Sequence, residues 1–298
     1  MAELAPRVLA QAGHRVVTLR ERIDPDYAAG VPDPSRDANL ASLIDRVAAT
    51  GADLGFALDG DADRVIFVDS GGRIVRPEQI GAVLATHCFV RPTLVYDLKC
   101  ASLLARAVEA AGGRSLMRPS GHGFIKATII DEQADLGVEV SGHHFYGVLG
   151  GGDDGLLTAL VVCRVMVASG ESLHQLVAEF PWPAITPDLR IPFSGDSHAV
   201  LEAIAGGCGG EVTRLDGVRA QYGGGWALAR ASITEPAVTL RFEGRDWQRV
   251  QEIADRFLAA VPELRAAIPA AALGSPTAAV SSSSLSSAPT NDRGKPTV

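Results

Sequence analysis

The chain has 298 residues, 47% of them hydrophobic, and a formal net charge of −8; at ~100–200 residues per domain, that suits two or three domains with their own cores. A pI near 5.4 without clustered Lys and Arg argues against nucleic-acid binding, since a phosphate backbone needs a concentrated basic surface. Cys88, Cys100, Cys163 and Cys208 are widely spaced with no C-x-x-C pair, which fits neither a zinc site nor a disulfide framework and points to a reducing cytoplasm.

Residues 1–11 lack the basic-then-apolar pattern of a signal peptide, and the most apolar helix candidate, 156–167, is interrupted by Arg164. It is too short to span a bilayer, so neither secretion nor a membrane partner is expected. Residues 15–19 read as extended, 40–49 as a helix, 54–58 as a strand, then 64–69 and 73–76 as strands around Ser70-Gly71-Gly72. Pro77 suits the first turn of a helix to residue 89. Strand 93–98, helix 101–111, strand 115–118, helix 124–131 and strand 137–140 follow. A glycine-rich loop leads to helix 155–168 and a short helix at 173–179, before Pro181, Pro183 and Pro187 interrupt regular structure.

From Asp188 the pattern turns strand-rich, with strands at 189–193, 211–215, 219–222, 226–230 and 238–242 and helices at 198–205 and 247–260. The fold class is α/β: two α/β domains, each a mixed sheet flanked by helices, then a smaller α+β C-terminal domain. The boundaries fall at 1–76, 77–184 and 185–265. Residues 266–298 are rich in Ala, Ser, Thr and Pro and are expected to be a disordered tail, because they bury too little apolar surface to offset ordering entropy. No internal repeat of fixed period stands out.

The sharpest signal is Leu58-Asp59-Gly60-Asp61-Ala62-Asp63-Arg64 between two strands. Asp59, Asp61 and Asp63, at alternate positions in a tight loop, converge on one hard cation, and Mg²⁺ is the natural candidate. An EF-hand is excluded, because Arg64 stands where that loop needs Gly and Ser70 where it needs Glu. A phosphatase nucleophile at Asp59 or Asp61 remains open.

With the flanking Pro32-Asp33-Pro34, Asn39-Leu40 and Thr50-Gly51-Ala52-Asp53, this loop resembles the magnesium loop in the second domain of α-D-phosphohexomutases, the phosphomannomutase and phosphoglucomutase family. The resemblance implies that the three aspartates hold Mg²⁺ and that Arg64 is an active-site arginine. It continues in order. Asp97-Leu98-Lys99-Cys100 resembles the loop whose lysine, here Lys99, points into the active site. Ser120-Gly121-His122-Gly123-Phe124-Ile125-Lys126 places His122 at a helix start, where backbone N–H groups favour an anion and the imidazole exchanges protons near neutral pH.

Gly137-Val138-Glu139-Val140-Ser141-Gly142-His143-His144-Phe145 resembles the sugar-recognition loop, which assigns Glu139, Ser141 and His143 to the substrate. Glu139 and Ser141, two apart on an extended strand, face one way and suit vicinal hydroxyls. Gly150-Gly151-Gly152-Asp153-Asp154-Gly155 matches G-x-G-x-x-G, yet it follows no strand directly and puts two acids where a pyrophosphate would sit, so a dinucleotide site is rejected; the family has an Asp-Asp-Gly here that opens a long helix. Arg230-Ala231-Ser232-Ile233-Thr234-Glu235-Pro236 resembles the phosphate-binding loop of the fourth domain, with Arg230, Ser232 and Thr234 on the non-transferring phosphate. Ile233 departs from the small or amide residue usual there.

The resemblance covers roughly residues 3–262. It implies Mg²⁺-dependent interconversion of hexose 1- and 6-phosphates, with hexose 1,6-bisphosphate as activator and glucose or mannose phosphates as substrates. The family's first domain carries a phosphorylated serine in a loop that these 298 residues do not contain, so a truncated start or a separate chain supplying that domain is expected, together with an uncovered sheet edge in the second domain. A non-catalytic sugar-phosphate-binding remnant and a Mg²⁺-dependent sugar phosphatase are the other readings.

Overall fold

A computed structural model of the chain describes residues 2–22, 30–232 and 235–274. The chain divides into two compact units, Met1–Pro183 with Glu211–Gln221, and Ala184–Gly210 with Tyr222–Val298.

The first unit opens with α1 (Leu4–Gln11) and, after a 3-10 turn at Asp37–Leu40, continues through α2 (Ala41–Thr50), β1 (Leu54–Leu58), β2 (Val65–Asp69) and β3 (Ile74–Val75). These strands form an antiparallel sheet in the order β1-β2-β3. The β2–β3 turn is held by Asp69, fully buried, whose carboxylate accepts N–H groups from Gly71 and Arg73 and the Arg73 guanidinium. Residues 15–19, expected as a strand, join no ladder among the described residues. Apolar alternation gives a segment β-propensity, but strand structure also needs a neighbour to bond to.

The second part of this unit runs α3 (Pro77–Cys88), β4 (Thr93–Asp97), α4 (Ser102–Ala110), β5 (Arg114–Arg118), α5 (His122–Glu132), β6 (Leu136–Val138), β7 (His144–Tyr146), β8 (Gly152–Asp153), α6 (Gly155–Ser169) and α7 (Leu173–Ala178). Its sheet has the order β5-β4-β6-β7-β8, with β4 parallel to both β5 and β6 and the rest antiparallel. Pro77 starts α3, and the Gln79 side chain ties that start down, its Oε1 accepting the Arg76 N–H at 3.3 Å while the Gln79 N–H donates to Arg76 O at 2.9 Å. Asp154 caps α6 through the Leu157 N–H at 2.8 Å. Val95, Ile125, Ile129, Ala134 and Phe145 form the core between α5 and the sheet.

The structure exposes a repeat that sequence inspection missed. Ala52-Asp53-Leu54-Gly55 recurs as Ala134-Asp135-Leu136-Gly137, and one constant offset also relates α2 to α5 and β1 to β6. Both helices end in a left-handed residue, Gly51 or Gln133. Both strands keep a glycine because the preceding helix lies on it: a Cβ on Gly55 would stand 2.6 Å from Val47 and 2.9 Å from Leu43, and one on Gly137 2.7 Å from Ile129 and 2.8 Å from Ile125, the same helix positions. Most other positions differ between the copies, so what persists is packing geometry rather than a readable period.

In the second unit β9 (Ala184–Ile185) and β10 (Leu189–Pro192) precede α8 (Ser197–Gly207). The hairpin β11 (Glu211–Thr213) and β12 (Val218–Tyr222) follows, largely within the first unit, and β13 (Gly225–Ala231), β14 (Ala237–Gly244), α9 (Trp247–Phe257) and α10 (Pro262–Ala267) complete the chain order. Strand β14 pairs antiparallel with β9, β10 and β13. Trp226, Phe242 and Phe257 are buried in this core, and the Trp226 indole N–H donates to buried Glu243 at 2.9 Å. Residues 266–274, grouped with the tail by composition, close the core instead: a 3-10 turn at Ala270–Leu273 follows α10, and Ile268 and Leu273 are buried. Two well-placed apolar side chains outweigh an Ala-rich composition. Residues 275–298 lie outside the described residues.

Candidate active site

The acidic loop is the connection between β1 and β2. Asp59 is buried; Arg64 donates to it twice, from Nε to Oδ2 at 2.6 Å and from its backbone N–H to Oδ1 at 3.1 Å, while reaching Asp33 Oδ1 at 3.4 Å. Burial pushes the Asp59 carboxyl up, but these Arg64 bonds outweigh it and hold the group below its usual range. Burial also raises Asp63, and Asp59 and Asp61 add to that rise against the pull of His143. Ala62 takes a left-handed conformation, φ 65°, and its carbonyl accepts the Gly155 N–H at 2.9 Å. A Cβ on Gly155 would meet Ala62 O at 2.9 Å and Arg64 O at 3.0 Å, so the start of α6 sits directly on the loop.

The β6–β7 hairpin faces this loop. Val65 N–H donates to Gly142 O at 3.1 Å, and Arg64 and His143 form an isolated antiparallel bridge. The strand expected through Val140 ends at Val138, because Gly142, at φ +104°, donates to Glu139 O and closes a tight turn. Glu139 is therefore buried at the turn, accepting the Gly121 N–H at 3.0 Å on Oε1 and lying 3.1 Å from His143 Nδ1 through Oε2. Ser141 Oγ is 2.7 Å from the same Nδ1. On its other nitrogen, His143 Nε2 lies 3.4 Å from Asp63 Oδ1 and 3.9 Å from Asp153 Oδ2.

His143 thus bridges the sugar-type hairpin and the acidic loop. Burial depresses its pKa, but Glu139, Asp63 and Asp153 together raise it above the ordinary histidine value. Glu139 is lowered despite burial, by the His143 hydrogen bond and the Gly121 N–H. His122 Nε2 is 3.0 Å from Asp153 Oδ1, and its ring packs edge-on against Phe145.

Asp59, Asp61, Asp63, Arg64, His122, Glu139, Ser141 and His143 thus come together within the first unit. Lys99 lies just past β4, half-buried, its backbone N–H donating to Asp97 Oδ1 at 2.6 Å. Arg230 is the penultimate residue of β13, opposite Thr239, and Ser232 follows the strand, its N–H donating to Ala237 O and its Oγ accepting from Glu235 N–H. Thr234 and Ile233 lie outside the described residues. Sequence reading missed Asp153 and Asp33 as site residues. Asp153 was quoted only as a helix-opening acid; its one signal was that two acids stood where a phosphate loop tolerates none.

The acidic loop fits a hard divalent cation. One carboxylate oxygen from each of Asp59, Asp61 and Asp63 lies within 4.8 Å of the others. Asp63 Oδ1 is buried without a hydrogen bond, with His143 Nε2 3.4 Å and Arg64 Nε 3.9 Å away, and a cation bound there would supply the missing partner.

Models of known families match nearly all of residues 1–260. That for phosphoglucomutase/phosphomannomutase alpha/beta/alpha domain II matches residues 1–72, that for domain III residues 76–182, and that for the C-terminal domain residues 187–260. A phosphomannomutase/phosphoglucomutase of Pseudomonas putida is 34% identical over 278 residues, covering 88% of this chain and 59% of the relative. A phosphoglucomutase of Neisseria gonorrhoeae is 32% identical, covering 84% and 56%. The crystal structure of a phosphoglucomutase/phosphomannomutase family protein from Burkholderia thailandensis superposes with a TM-score of 0.80 at 33% identity, covering 88% of this chain and 58% of that one. The chain spans less than two thirds of the length of these relatives. Among the described residues no helix is long and apolar enough to cross a membrane.

Proposed function

Because the chain belongs to the phosphoglucomutase/phosphomannomutase family, we propose that it is the metal- and sugar-binding part of a cytoplasmic, Mg²⁺-dependent phosphohexomutase. With a phosphoserine-bearing segment and catalytic hexose 1,6-bisphosphate, it interconverts the 1- and 6-phosphates of glucose or mannose. The observation that carries this reading is His143, within reach of Asp63 on one nitrogen and of Glu139 and Ser141 on the other. That geometry joins a cation loop to a hydroxyl-reading hairpin, as hexose phosphate chemistry requires.

Asp59, Asp61 and Asp63 would hold Mg²⁺, which when bound neutralises charge on a transferring phosphoryl group. Arg64 fixes the Asp59 carboxylate. Glu139 and Ser141 accept from and orient neighbouring sugar hydroxyls. Asp153 holds His122 Nε2, so His122 takes or gives the hydroxyl proton at Nδ1. Lys99 offers a cation to the reacting phosphate, and Arg230, Ser232 and Thr234 grip the distal one.

The test is conversion of glucose 1-phosphate and mannose 1-phosphate to the 6-phosphates with Mg²⁺ and hexose 1,6-bisphosphate, with Asp61→Asn as control. The expected result is no turnover by the chain alone and recovery when a relative's first domain is added, lost again in Asp61→Asn. No turnover with or without the added domain favours a non-catalytic sugar-phosphate binder. Release of inorganic phosphate that Asp61→Asn abolishes favours a phosphatase.

A further inference from the structure

Beside the three-aspartate loop, two buried carboxylate oxygens face one imidazole nitrogen. Asp63 Oδ1 and Asp153 Oδ2 are both buried without a hydrogen bond among the described residues. His143 Nε2 lies 3.4 Å from the first and 3.9 Å from the second. The Asp153 side chain is only 9% exposed, so its free oxygen has little access to water, and an acceptor left in that state is costly.

The other side of each group is already held. Asp153 stands opposite Phe145 in the β7–β8 ladder, and its Oδ1 lies 3.0 Å from His122 Nε2. His143 Nδ1 lies 3.1 Å from Glu139 Oε2 and 2.7 Å from Ser141 Oγ. A carboxylate at Nδ1 favours the proton there, which turns the Nε2 lone pair toward Asp63 and Asp153. Asp63 is placed by the turn in which Ala62, at φ 65°, gives its carbonyl to the Gly155 N–H. Three electron-rich atoms thus converge from three separate elements. A proton on Nε2 turns to one oxygen and not to both, and at 3.4 and 3.9 Å neither contact is a good hydrogen bond. A metal ion serves all three, because donors about 2.0–2.1 Å from a tetrahedral ion stand about 3.3–3.4 Å apart. The three donor atoms lie within 4.8 Å of one another, so small side-chain shifts close the set.

We propose that Asp63, His143 and Asp153 form a second metal site, for a borderline divalent cation of the zinc kind. Two carboxylates balance the charge of the ion, and the imidazole selects it: nitrogen donors suit zinc-type ions, whereas Mg²⁺ prefers oxygen ligands alone. Three protein ligands leave a fourth position open to water or an anion. Glu139 and His122 stand behind His143 and Asp153 and orient them. Asp63 belongs to both sets of ligands, whereas Asp59 and Asp61 belong only to the loop. The site rests on these side chains alone and not on the catalytic reading.

Co²⁺ is the probe, because its visible absorption distinguishes four-coordinate from six-coordinate binding. The full chain, stripped of metal and at about 0.1 mM, is titrated with Co²⁺. About one equivalent is expected to give the intense bands of a four-coordinate ion, and Zn²⁺ to displace it. His143→Ala and Asp153→Asn are each expected to weaken binding at least about tenfold, while Asp61→Asn keeps the bands and most of the affinity. Equal weakening by Asp61→Asn puts the ion in the three-aspartate loop and overturns the proposal. Loss of the bands in His122→Ala with His143→Ala unaffected gives the ion to the other imidazole and also overturns it. X-ray absorption by the Zn²⁺-loaded chain needs no variant: one imidazole and no sulfur is the expected shell, and sulfur or a shell without imidazole overturns the site. So does the absence of four-coordinate bands at one equivalent of Co²⁺.

Discussion

The two helix–strand–strand copies start from the same Ala-Asp-Leu-Gly and part at their hairpins. In the first, the connection after β1 widens into the Asp59–Arg64 loop, rich in carboxylates and held by one guanidinium. In the second, it contracts to the Glu139–Gly142 turn, whose single carboxylate lies against His143, while His122 is held by Asp153. One packing unit, its strand glycine pressed under its helix, thus carries a three-aspartate loop in one place and a carboxylate–imidazole turn in the other. The outer edge of the second copy is covered by β4, whereas among the described residues no strand pairs with the outer edge of β1. Chemistry and stability therefore divide unequally between two structurally equivalent halves.

Acid gives the largest expected separation. His144, in β7, has no counterpart in the first copy. It is fully buried between Gly142 O and Pro77 O, and burial, outweighing those two carbonyls, lowers its pKa to about 4. The folded value lies below the unfolded value near 6.5, so protons favour the unfolded chain. The contribution is complete above about pH 6.5 and is lost as pH falls toward 4, amounting to roughly 3 kcal/mol. Urea unfolding at pH 7.5 and 5 should show it, and His144→Gln should flatten that slope; an unchanged slope would place His144 in water.

Crowding the paired glycines ranks next. Gly137→Ala drives a methyl against Ile129, Ile125 and, at 3.0 Å, Phe145 Cβ, and should cost about 2–3 kcal/mol. Gly55→Ala meets Val47 Cγ2 at 2.6 Å and Leu43 Cδ1 at 2.9 Å but, unlike Gly137→Ala, no side chain of a neighbouring strand among its three nearest atoms, and should cost about 1–2 kcal/mol. Equal losses by thermal unfolding would mean that β1 is held as firmly as β6.

The smallest contrast is at the anchors. Asp135→Ala removes the acceptor of the Thr93 N–H and should cost about 1 kcal/mol. Asp53→Ala, at an exposed carboxylate, should stay within about 0.5 kcal/mol in the free chain. A matching loss at Asp53 would show that its carboxylate also holds a main-chain amide.

The sequence by itself determined the helices and strands, because period, proline and capping signals are local: Pro77 starts α3, Asp154 caps α6, and the apolar run at 54–58 is a strand. It also singled out the three aspartates as a candidate cation site, since alternate carboxylates in a short loop need no distant partner to be recognised. What only the tertiary structure decided are contacts between residues far apart in the chain. That Asp153 reaches both His122 and His143, that Glu139 sits in a turn tied to Gly121, and that residues 266–274 close a core leave no local trace. The repeat itself was hidden for the same reason: its two copies share the pressure of a helix on a glycine, and that pressure acts through space.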